Sequence, residues 1–322
     1  MIHRHDFQQA ARHFRSGRIS LNEFTDKVFG PAAGRSVEQR EYVFPRRAVD
    51  AHKGEFGRVL MVGGSVGMSG AIALAGQAAL RTGSGLVRVV TPLDVQSVVA
   101  SFYPCLMVVP ASSSDGALSE QALDEILQHA AWADVIAMGP GMGCTPAGQQ
   151  LASKLYQQLS QPLLVDADGL NNLAWLCCDL SDHAGPRILT PHAGEFQRLS
   201  GESVAERKQL EKSAVEFAGS HGVTVVLKGH RTLITDGTSQ FYNPSGNDGL
   251  ATAGTGDVLT GVVISLLGQG LTPNDAARTG CYLHGLAGDL AAKRRGKSSL
   301  VATDLFDFLP QAIEQLQKES DV

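Results

Sequence analysis

The sequence is short of the features that mark specialised protein classes. Among its 322 residues there are 13 Pro and 5 Cys, and charged residues make up 18%. So little Pro excludes a low-complexity linker protein, and the Gly present follows no Gly-X-Y period, which excludes collagen. The cysteines, Cys105, Cys144, Cys177, Cys178 and Cys281, are odd in number and lack the CxxC or Cys/His spacing of a zinc site. They read as small buried thiols in a reducing compartment, so a cytoplasmic location is expected. No apolar run approaches the roughly 18 residues of a membrane span; the most apolar stretch, Val258–Leu267, is too short. Met1–Ala11 is polar and carries His and Arg, so no signal peptide is expected. Positive charge is also scarce, 27 Lys+Arg against 32 Asp+Glu for a net charge of -5. That balance argues against nucleic acid as a partner, while small anions can still be held by backbone N–H groups. A hydrophobic content of 43% excludes a disordered chain.

Glycine is what the chain has in excess. There are 36, where an average usage of roughly 7% would supply ~23. Nine lie between Gly54 and Gly85, seven between Gly246 and Gly270, and only three in the first 50 residues. Those first 50 residues also differ in charge, with 9 Lys+Arg against 6 Asp+Glu. They read as an added arm of two short helices, Asp6–Arg15 and Ser20–Phe29. The second opens on a Ser20/Glu23 capping box and ends at Gly30-Pro31. The arm is assigned to residues 1–44 and the main domain to 45–322.

After the arm, short apolar runs alternate with helical stretches. Strands are expected at Arg58–Val62, Leu86–Thr91, Asp134–Met138, Leu163–Asp166, Ile188–Thr190 and Val223–Leu227. Between them, helices are expected at Ala71–Thr82, Ser119–Ala131, Pro146–Leu159, Leu170–Leu176 and Val204–Ser220. This alternation predicts βαβ units and a mainly parallel sheet covered on both faces. A hairpin is expected around Asp236-Gly237, and the last third reads as three helices, Thr255–Leu267, Pro273–Ala292 and Thr303–Gln317.

Loops that follow parallel strands are where such sheets bind ligands. Gly63-Gly64-Ser65 through Gly70-Ala71 is neither a Walker A loop nor GxGxxG. It is read with equal weight as a ligand-approach loop and as a tight strand-to-helix turn. Gly139-Pro140-Gly141-Met142-Gly143 offers a fixed path with little bulk, against which a flat ring would fit. In Asp166-Ala167-Asp168, one carboxylate is open to metal binding and Asp168 is a candidate N-cap. His192 and Glu195 fall three apart at a helix start, suited either to a ligand and Mg²⁺ or to the helix dipole alone. Lys228 leaves a strand towards a turn and reads as a phosphate contact or a solvated strand-end lysine.

The most informative segment is Gly254-Thr255-Gly256-Asp257, directly before an apolar helix. Free N–H groups at such a start form an anion hole. A carboxylate aimed into that hole would repel phosphate. It makes sense as a base that removes the proton from a hydroxyl attacking phosphorus.

Together these stretches resemble the ribokinase-like superfamily, and within it the ADP-dependent NAD(P)H-hydrate dehydratases. The matching pieces run in order from His52-Lys-Gly-Glu-Phe-Gly57 through Thr190-Pro-His-Ala-Gly-Glu195 to His284-Gly-Leu-Ala-Gly288, and span about Val49 to Pro310. The resemblance implies a three-layer α/β/α fold and repair of nicotinamide cofactors hydrated across the 5,6 double bond. ADP phosphorylates the 6-hydroxyl of the S epimer, phosphate then leaves, and NAD(P)H, AMP and phosphate result. It further implies that Asp257 is the base. Lys228, Gly229, His230, Arg231, Thr232, Asn247, Gly254, Thr255 and Gly256 would hold the nucleotide and its phosphates. Ala71, Gly141, Gly143 and His192 would line the hydrated-nicotinamide site with Asp257, and Glu195 and Asp166 would lie near Mg²⁺, through water. A homo-oligomer, often tetrameric, and a separate upstream epimerase are implied as partners. Asp248, Leu250 and Ala253 depart from the family's usual Pro, Met and Gly, and Asp248 adds a charge beside the nucleotide. The alternatives are an ATP-dependent vitamin-precursor kinase of the same superfamily and a non-catalytic nucleotide sensor. The loops at Gly139–Gly143 and Thr190–Glu195 speak against the first, and Asp257 against the second.

Overall fold

A computed structural model describes residues 42–319 apart from 178, 204 and 205. The two helices expected before residue 30 lie outside the described residues. The chain enters through β1 (Arg58–Val62), α1 (Ser69–Arg81), β2 (Leu86–Pro92), α2 (Gln96–Phe102) and β3 (Met107–Ala111). A small hairpin, β4 (Ser113–Ser114) and β5 (Ala117–Leu118), and α3 (Ala122–Ala130) lead to β6 (Val135–Met138). Then come α4 (Pro146–Gln158), β7 (Leu163–Val165), α5 (Asp168–Trp175), β8 (Arg187–Leu189), α6 (Ala193–Ser200), α7 (Arg207–His221) and β9 (Thr224–Leu227). The hairpin β10 (Leu233–Thr235) and β11 (Gln240–Tyr242) precedes three helices, α8 (Thr255–Gly268), α9 (Pro273–Arg295) and α10 (Leu305–Glu319).

Nine strands form one sheet in the order β11-β10-β9-β8-β7-β6-β1-β2-β3. From β9 to β3 all neighbours are parallel, and only the β9–β10 and β10–β11 pairings of this sheet are antiparallel. Strand side chains alternate between two cores. Val59, Met61, Ala137, Leu164 and Val226 face α1 and α8–α10, whereas Leu60, Val62, Met138, Val165 and Leu227 face α3–α7. This is the expected ribokinase-like three-layer α/β/α arrangement, and every expected strand after residue 45 is present. The sequence reading missed α2, β3–β5 and the extent of α6. β3 escaped notice because Pro110 interrupts it, and it tolerates Pro because it is the sheet's edge strand.

Two helices show how sequence sets their boundaries. Thr145 caps α4 by accepting from the Gly148 N–H, and Thr272 caps α9 by accepting from the Asp275 N–H; each is followed by Pro at the first helical position. Helix α8 differs, since every residue from Val258 to Leu267 is buried. An all-round apolar helix belongs in an interior. It crosses α1 so closely that a Cβ on Gly261 would lie 2.1 Å from the Ala75 carbonyl oxygen. At the start of the described chain, the Tyr42 ring stacks on Tyr282 with centroids 3.9 Å apart, and Phe44 packs on the same core. Among the described residues no helix is long and apolar enough to cross a membrane.

The strand order reverses at β1. The chain first winds outward to β3, then returns through α3 to place β6 on the other side of β1. Crevices open at such a switch point, beyond the carboxyl ends of the strands. The loops after β1, β6, β7, β8 and β9 therefore lie side by side along one sheet end, and the start of α8 joins them there.

Candidate active site

The first turn of α8 has the form expected of an anion hole. Gly254 is the N-cap with φ +89 and makes no side-chain cap, so the first N–H groups of the helix have no partner within it. The Thr255 hydroxyl donates to the Leu250 and Thr252 carbonyls at 2.9 Å each, tying the preceding loop to the turn. The Thr255 carbonyl accepts from His284 Nε2 at 2.9 Å. That bond fixes the tautomer, and burial pulls the His284 pKa down to about 4, leaving the ring neutral. Gly256 opens outward, for the nearest atom to a Cβ built there would be Lys228 Nζ at 3.7 Å.

Four carboxylates and one ammonium converge beside this turn. Lys228 Nζ lies 2.8 Å from Asp166 Oδ1 and 3.6 Å from Glu195 Oε2. The other Asp166 oxygen accepts from the Thr260 hydroxyl at 2.7 Å. Burial alone would lower the Lys228 pKa, but the charges of Asp166, Glu195 and Asp257 outweigh it and raise it. Asp257 moves to about 7, chiefly through burial and then through the Asp166 charge, with Lys228 pulling the other way and Asp168 and Glu195 adding to the rise. A carboxylate poised near neutrality is what general-base chemistry at neutral pH needs.

Lys228 is thus a paired, largely buried cation and not a solvated strand-end lysine. Arg207, which the sequence reading did not single out, supports it by donating to the Leu227 and Lys228 carbonyls at 3.1 Å each. Asp168 corrects an expectation: the N-cap of α5 is Ala167, and no side chain caps it. The Asp168 carboxylate instead accepts from the Gly143 N–H at 2.9 Å, which pins the β6 loop. Ala167 has φ +49 and ψ -121. This strained non-glycine backbone, costing roughly 1–3 kcal/mol, sends Asp166 into the interior and Asp168 towards Gly143.

His192 and Glu195 form a reciprocal cap on α6. His192 Nδ1 accepts from the Gly194 and Glu195 N–H groups, and Glu195 Oε2 accepts from the His192 N–H at 2.7 Å. His192 Nε2 lies 3.5 Å from Glu195 Oε1, on a half-exposed side chain. Glu195 is spent on the cap and on Lys228, and both oxygens of buried Asp166 are engaged. Direct coordination of Mg²⁺ by these two carboxylates does not fit, since the ion demands near-ideal octahedral geometry and usually keeps several waters. Among the described residues no group of three or more His, Cys, Asp or Glu could hold a metal ion.

A cavity of about 430 Å³ opens from this turn towards β10 and the 3-10 turn Asp248–Leu250. That is ample for a small-molecule ligand. It is lined by Lys228, Gly229, His230, Arg231 and Thr232, and by Asn247, Thr255 and Gly256. Gly254, expected with them, is not among its walls; a Cβ there would press on Leu74 at 2.8 Å and Ala302 at 3.0 Å. The Asn247 amide donates to Asp289 at 2.8 Å and accepts from the Gly249 N–H, so it shapes the wall. Asp248 pairs with Lys297 at 2.6 Å in an exposed position, which neutralises the extra charge noted in the sequence.

Ala71, Gly141, Gly143 and His192 lie outside this cavity. A Cβ on Gly141 would sit 3.1 Å from the Ala71 Cβ, and one on Gly143 3.7 Å from Ser65 Oγ, so these loops meet at the switch point. His192 stands further along the sheet edge, after β8. Ser65 Oγ is buried there without a hydrogen-bond partner, and the sequence offered no signal for it beyond its place in a Gly-rich loop.

A mainly parallel doubly covered sheet, with an acid in the first turn of a glycine-initiated helix at its carboxyl end, defines the ribokinase-like class. A ribokinase-like superfamily protein from Enterococcus faecalis superposes with TM-score 0.70 at 30% identity, covering 86% of this chain and 93% of that one. A hydroxyethylthiazole kinase from Pyrococcus horikoshii, at 18% identity and TM-score 0.51, shares the fold over 73% of this chain and 92% of that one. The chain belongs to the family described as NAD(P)H-hydrate dehydratase, whose model matches residues 59–311. It is 46% identical over 278 residues to a bifunctional NAD(P)H-hydrate repair enzyme from Moorella thermoacetica, covering 85% of this chain and 52% of the relative. The chain spans about half the length of the curated relatives it first matches. An ADP-dependent (S)-NAD(P)H-hydrate dehydratase from Neisseria meningitidis is 41% identical, covering 79% of this chain and 84% of the relative. A Bacillus subtilis ADP/ATP-dependent NAD(P)H-hydrate dehydratase, co-crystallised with ATP and Mg²⁺, superposes with TM-score 0.71 at 31% identity, covering 84% of this chain and 94% of that one.

Proposed function

We propose that the protein is an ADP-dependent dehydratase that restores NADH or NADPH from the S epimer of its hydrate. The observation that carries this reading is Asp257. It is a half-buried carboxylate in the first turn of α8, held near neutrality and next in sequence to Gly256, which lines a nucleotide-sized cavity. A binding protein would gain nothing from a negative charge where phosphate must sit.

In the proposed reaction, ADP occupies the cavity with its β-phosphate against the N–H groups of Gly254, Thr255 and Gly256. Lys228, Gly229, His230, Arg231, Thr232 and Asn247 supply the surrounding surface. The hydrated ring lies against Ala71, Gly141 and Gly143, with the His192 side chain on its far side. Asp257 takes the proton from the 6-hydroxyl as that oxygen attacks the β-phosphorus, and the bond to the bridging oxygen breaks to release AMP. Phosphate then leaves C6 with the bonding pair, assisted by the ring nitrogen, and loss of a C5 proton re-forms the double bond. Hydroxide is a poor leaving group at neutral pH and phosphate a good one, which explains the need for a nucleotide. Mg²⁺ arriving on the ADP phosphates would neutralise charge there. Asp166 and Glu195 face it through water at most, so no step is assigned to a protein-bound metal.

On this reading, residues 1–44 are an arm added to a catalytic domain at 45–322, and the protein is a cytoplasmic homo-oligomer, tetrameric by resemblance. A separate epimerase would feed it the S epimer. The test is incubation with hydrated NADH, Mg²⁺ and either ADP or ATP, following the dihydronicotinamide absorbance. Recovery faster with ADP, with AMP formed in step, is expected. No recovery with either nucleotide excludes the dehydratase, and ADP formation from ATP with a vitamin-precursor alcohol would indicate a kinase.

A further inference from the structure

We propose that Thr260 and Asp166 are a positioning pair: Thr260 fixes Asp166, Asp166 fixes the Lys228 ammonium, and the ammonium is thereby held over the first turn of α8 between Asp257 and the arriving phosphoryl oxygens. This rests on the dehydratase reading of the site and assigns two residues a role within it.

The argument starts from an electrostatic oddity. An ammonium is disfavoured at a helix N-terminus, where the macrodipole is positive. Lys228 is held there, with Nζ within 3.7 Å of where a Gly256 Cβ would be. Something must fix it in place, and the contacts show what. One Asp166 oxygen takes Lys228 Nζ at 2.8 Å and the other takes the Thr260 hydroxyl at 2.7 Å. Asp166 is 1% exposed and Thr260 wholly buried, so neither has water as an alternative partner. Thr260 lies one turn beyond Asp257 on the same rigid helix. The chain from Thr260 to Asp166 to Lys228 therefore references the ammonium to the helix that carries the base. A two-point grip on a carboxylate removes the freedom that a single salt bridge would leave.

The groups around Asp257 are few. Asp166 comes from the end of β7, Asp168 from the start of α5, Glu195 from α6 and Lys228 from the end of β9. His284, on α9, faces the Thr255 carbonyl and is neutral. Helix α1, packed against α8, carries no charged side chain before Arg81. Removing the Asp166 charge therefore takes away the largest repulsion that Asp257 feels and releases Lys228 towards it. Both changes favour the ionised base.

The experiment compares wild type, Thr260→Val, Thr260→Ser and Asp166→Asn in the NADH-restoration assay, with melting temperature measured in parallel. Thr260→Val keeps shape and loses the hydroxyl; about 10–100-fold loss in kcat is expected, the scale of a small misplacement of reacting groups, with KM for ADP changed less than about 3-fold. Thr260→Ser should recover kcat to within about 3-fold of wild type by restoring the hydroxyl. Asp166→Asn should move the acid limb of the kcat profile to lower pH, which loss of packing alone would not do. If Thr260→Val lowers only the melting temperature, or Thr260→Ser fails to rescue a folded protein, the positioning role is overturned. An acid limb that stays in place in folded Asp166→Asn overturns it too; if that variant does not fold, the Thr260 pair decides. Failure of the wild type to restore NADH would count against the dehydratase reading itself, which separates the two results.

Discussion

In the loops after β1 and β6, glycine is demanded by neighbouring main chain; at Gly256, on the first turn of α8, no neighbouring atom demands it. A Cβ on Gly63 would lie 2.4 Å from the Pro140 carbonyl oxygen, and one on Gly139 1.9 Å from that of Asp166. These loops are stacked against each other, and the glycines let them touch. At Gly256 a Cβ would meet only the tip of Lys228. The same residue type thus interlocks the scaffold in one region and leaves open space in the other, where the proposed phosphate would sit. Within the β1 loop a Cβ on Gly67 would meet nothing within 4 Å, and glycine is favoured there by its φ of +84 instead.

Substitutions that separate stability from turnover sharpen this comparison. The largest effect is expected at the base itself: Asp257→Asn should lose turnover by at least about 10²-fold while binding ADP nearly as wild type. Calorimetric titration together with the recovery assay checks this, and near-normal turnover would remove Asp257 from its role. Next is Gly139→Ala, which places a Cβ against backbone in a φ +122 conformation. It should cost about 3 kcal/mol or more, read as a loss of melting temperature or of soluble expression. Gly256→Ala should do the reverse, leaving the melting curve within about 0.5 kcal/mol of wild type while weakening ADP at least about 10-fold. If both variants behave alike, the distinction between the two regions fails.

The pH dependence carries the comparison into charge. With Asp257 at about 7, kcat/KM should climb up to about tenfold per pH unit below neutrality and level off above it. Stability should run the other way. The folded protein holds this proton more tightly than the unfolded chain, whose carboxyl has the ordinary value of 3.8. The stability it contributes is complete below about pH 4 and is lost as pH rises through about 7. Asp257→Asn should therefore raise the melting temperature at pH 8 and change it little at pH 4. The smallest effect is expected at the cavity mouth. Asp248→Ala breaks only the exposed pair with Lys297, so ADP affinity should change less than about 3-fold, with the preference for ADP over ATP kept. A large swing in donor preference would give that mouth a selective role.

Much of the candidate site is legible in the sequence, because its loops are written as short contiguous strings. Gly254–Asp257 stands out as a candidate anion hole by placing two glycines and an acid before an apolar helix, and Lys228–Thr232 follows a strand without a break. Thr260 was not legible. A threonine inside an apolar helix reads as filler, and its partner Asp166 is 94 residues away in sequence. Arg207 was missed for the same reason, since its targets are carbonyls of a strand that follows a full helix later. Asp168 shows the opposite failure. Local rules offered it as a candidate cap, and a long-range bond to Gly143 claimed it instead.

Periodicity alone determined the alternating strands and helices, and with them the parallel, doubly covered sheet, because burying one face at a time is a local constraint. The sequence also singled out the loops proposed to carry chemistry, since backbone approach to a ligand requires glycine and a base requires a carboxylate. Only the tertiary structure decided which glycines are held by packing and which face open space, because that depends on what stands 2–4 Å away across the chain. It alone decided that Lys228 is paired and that Asp257 is held near neutrality. Those are properties of burial and of charges brought together from β7, α5, α6 and β9, and no single segment contains them.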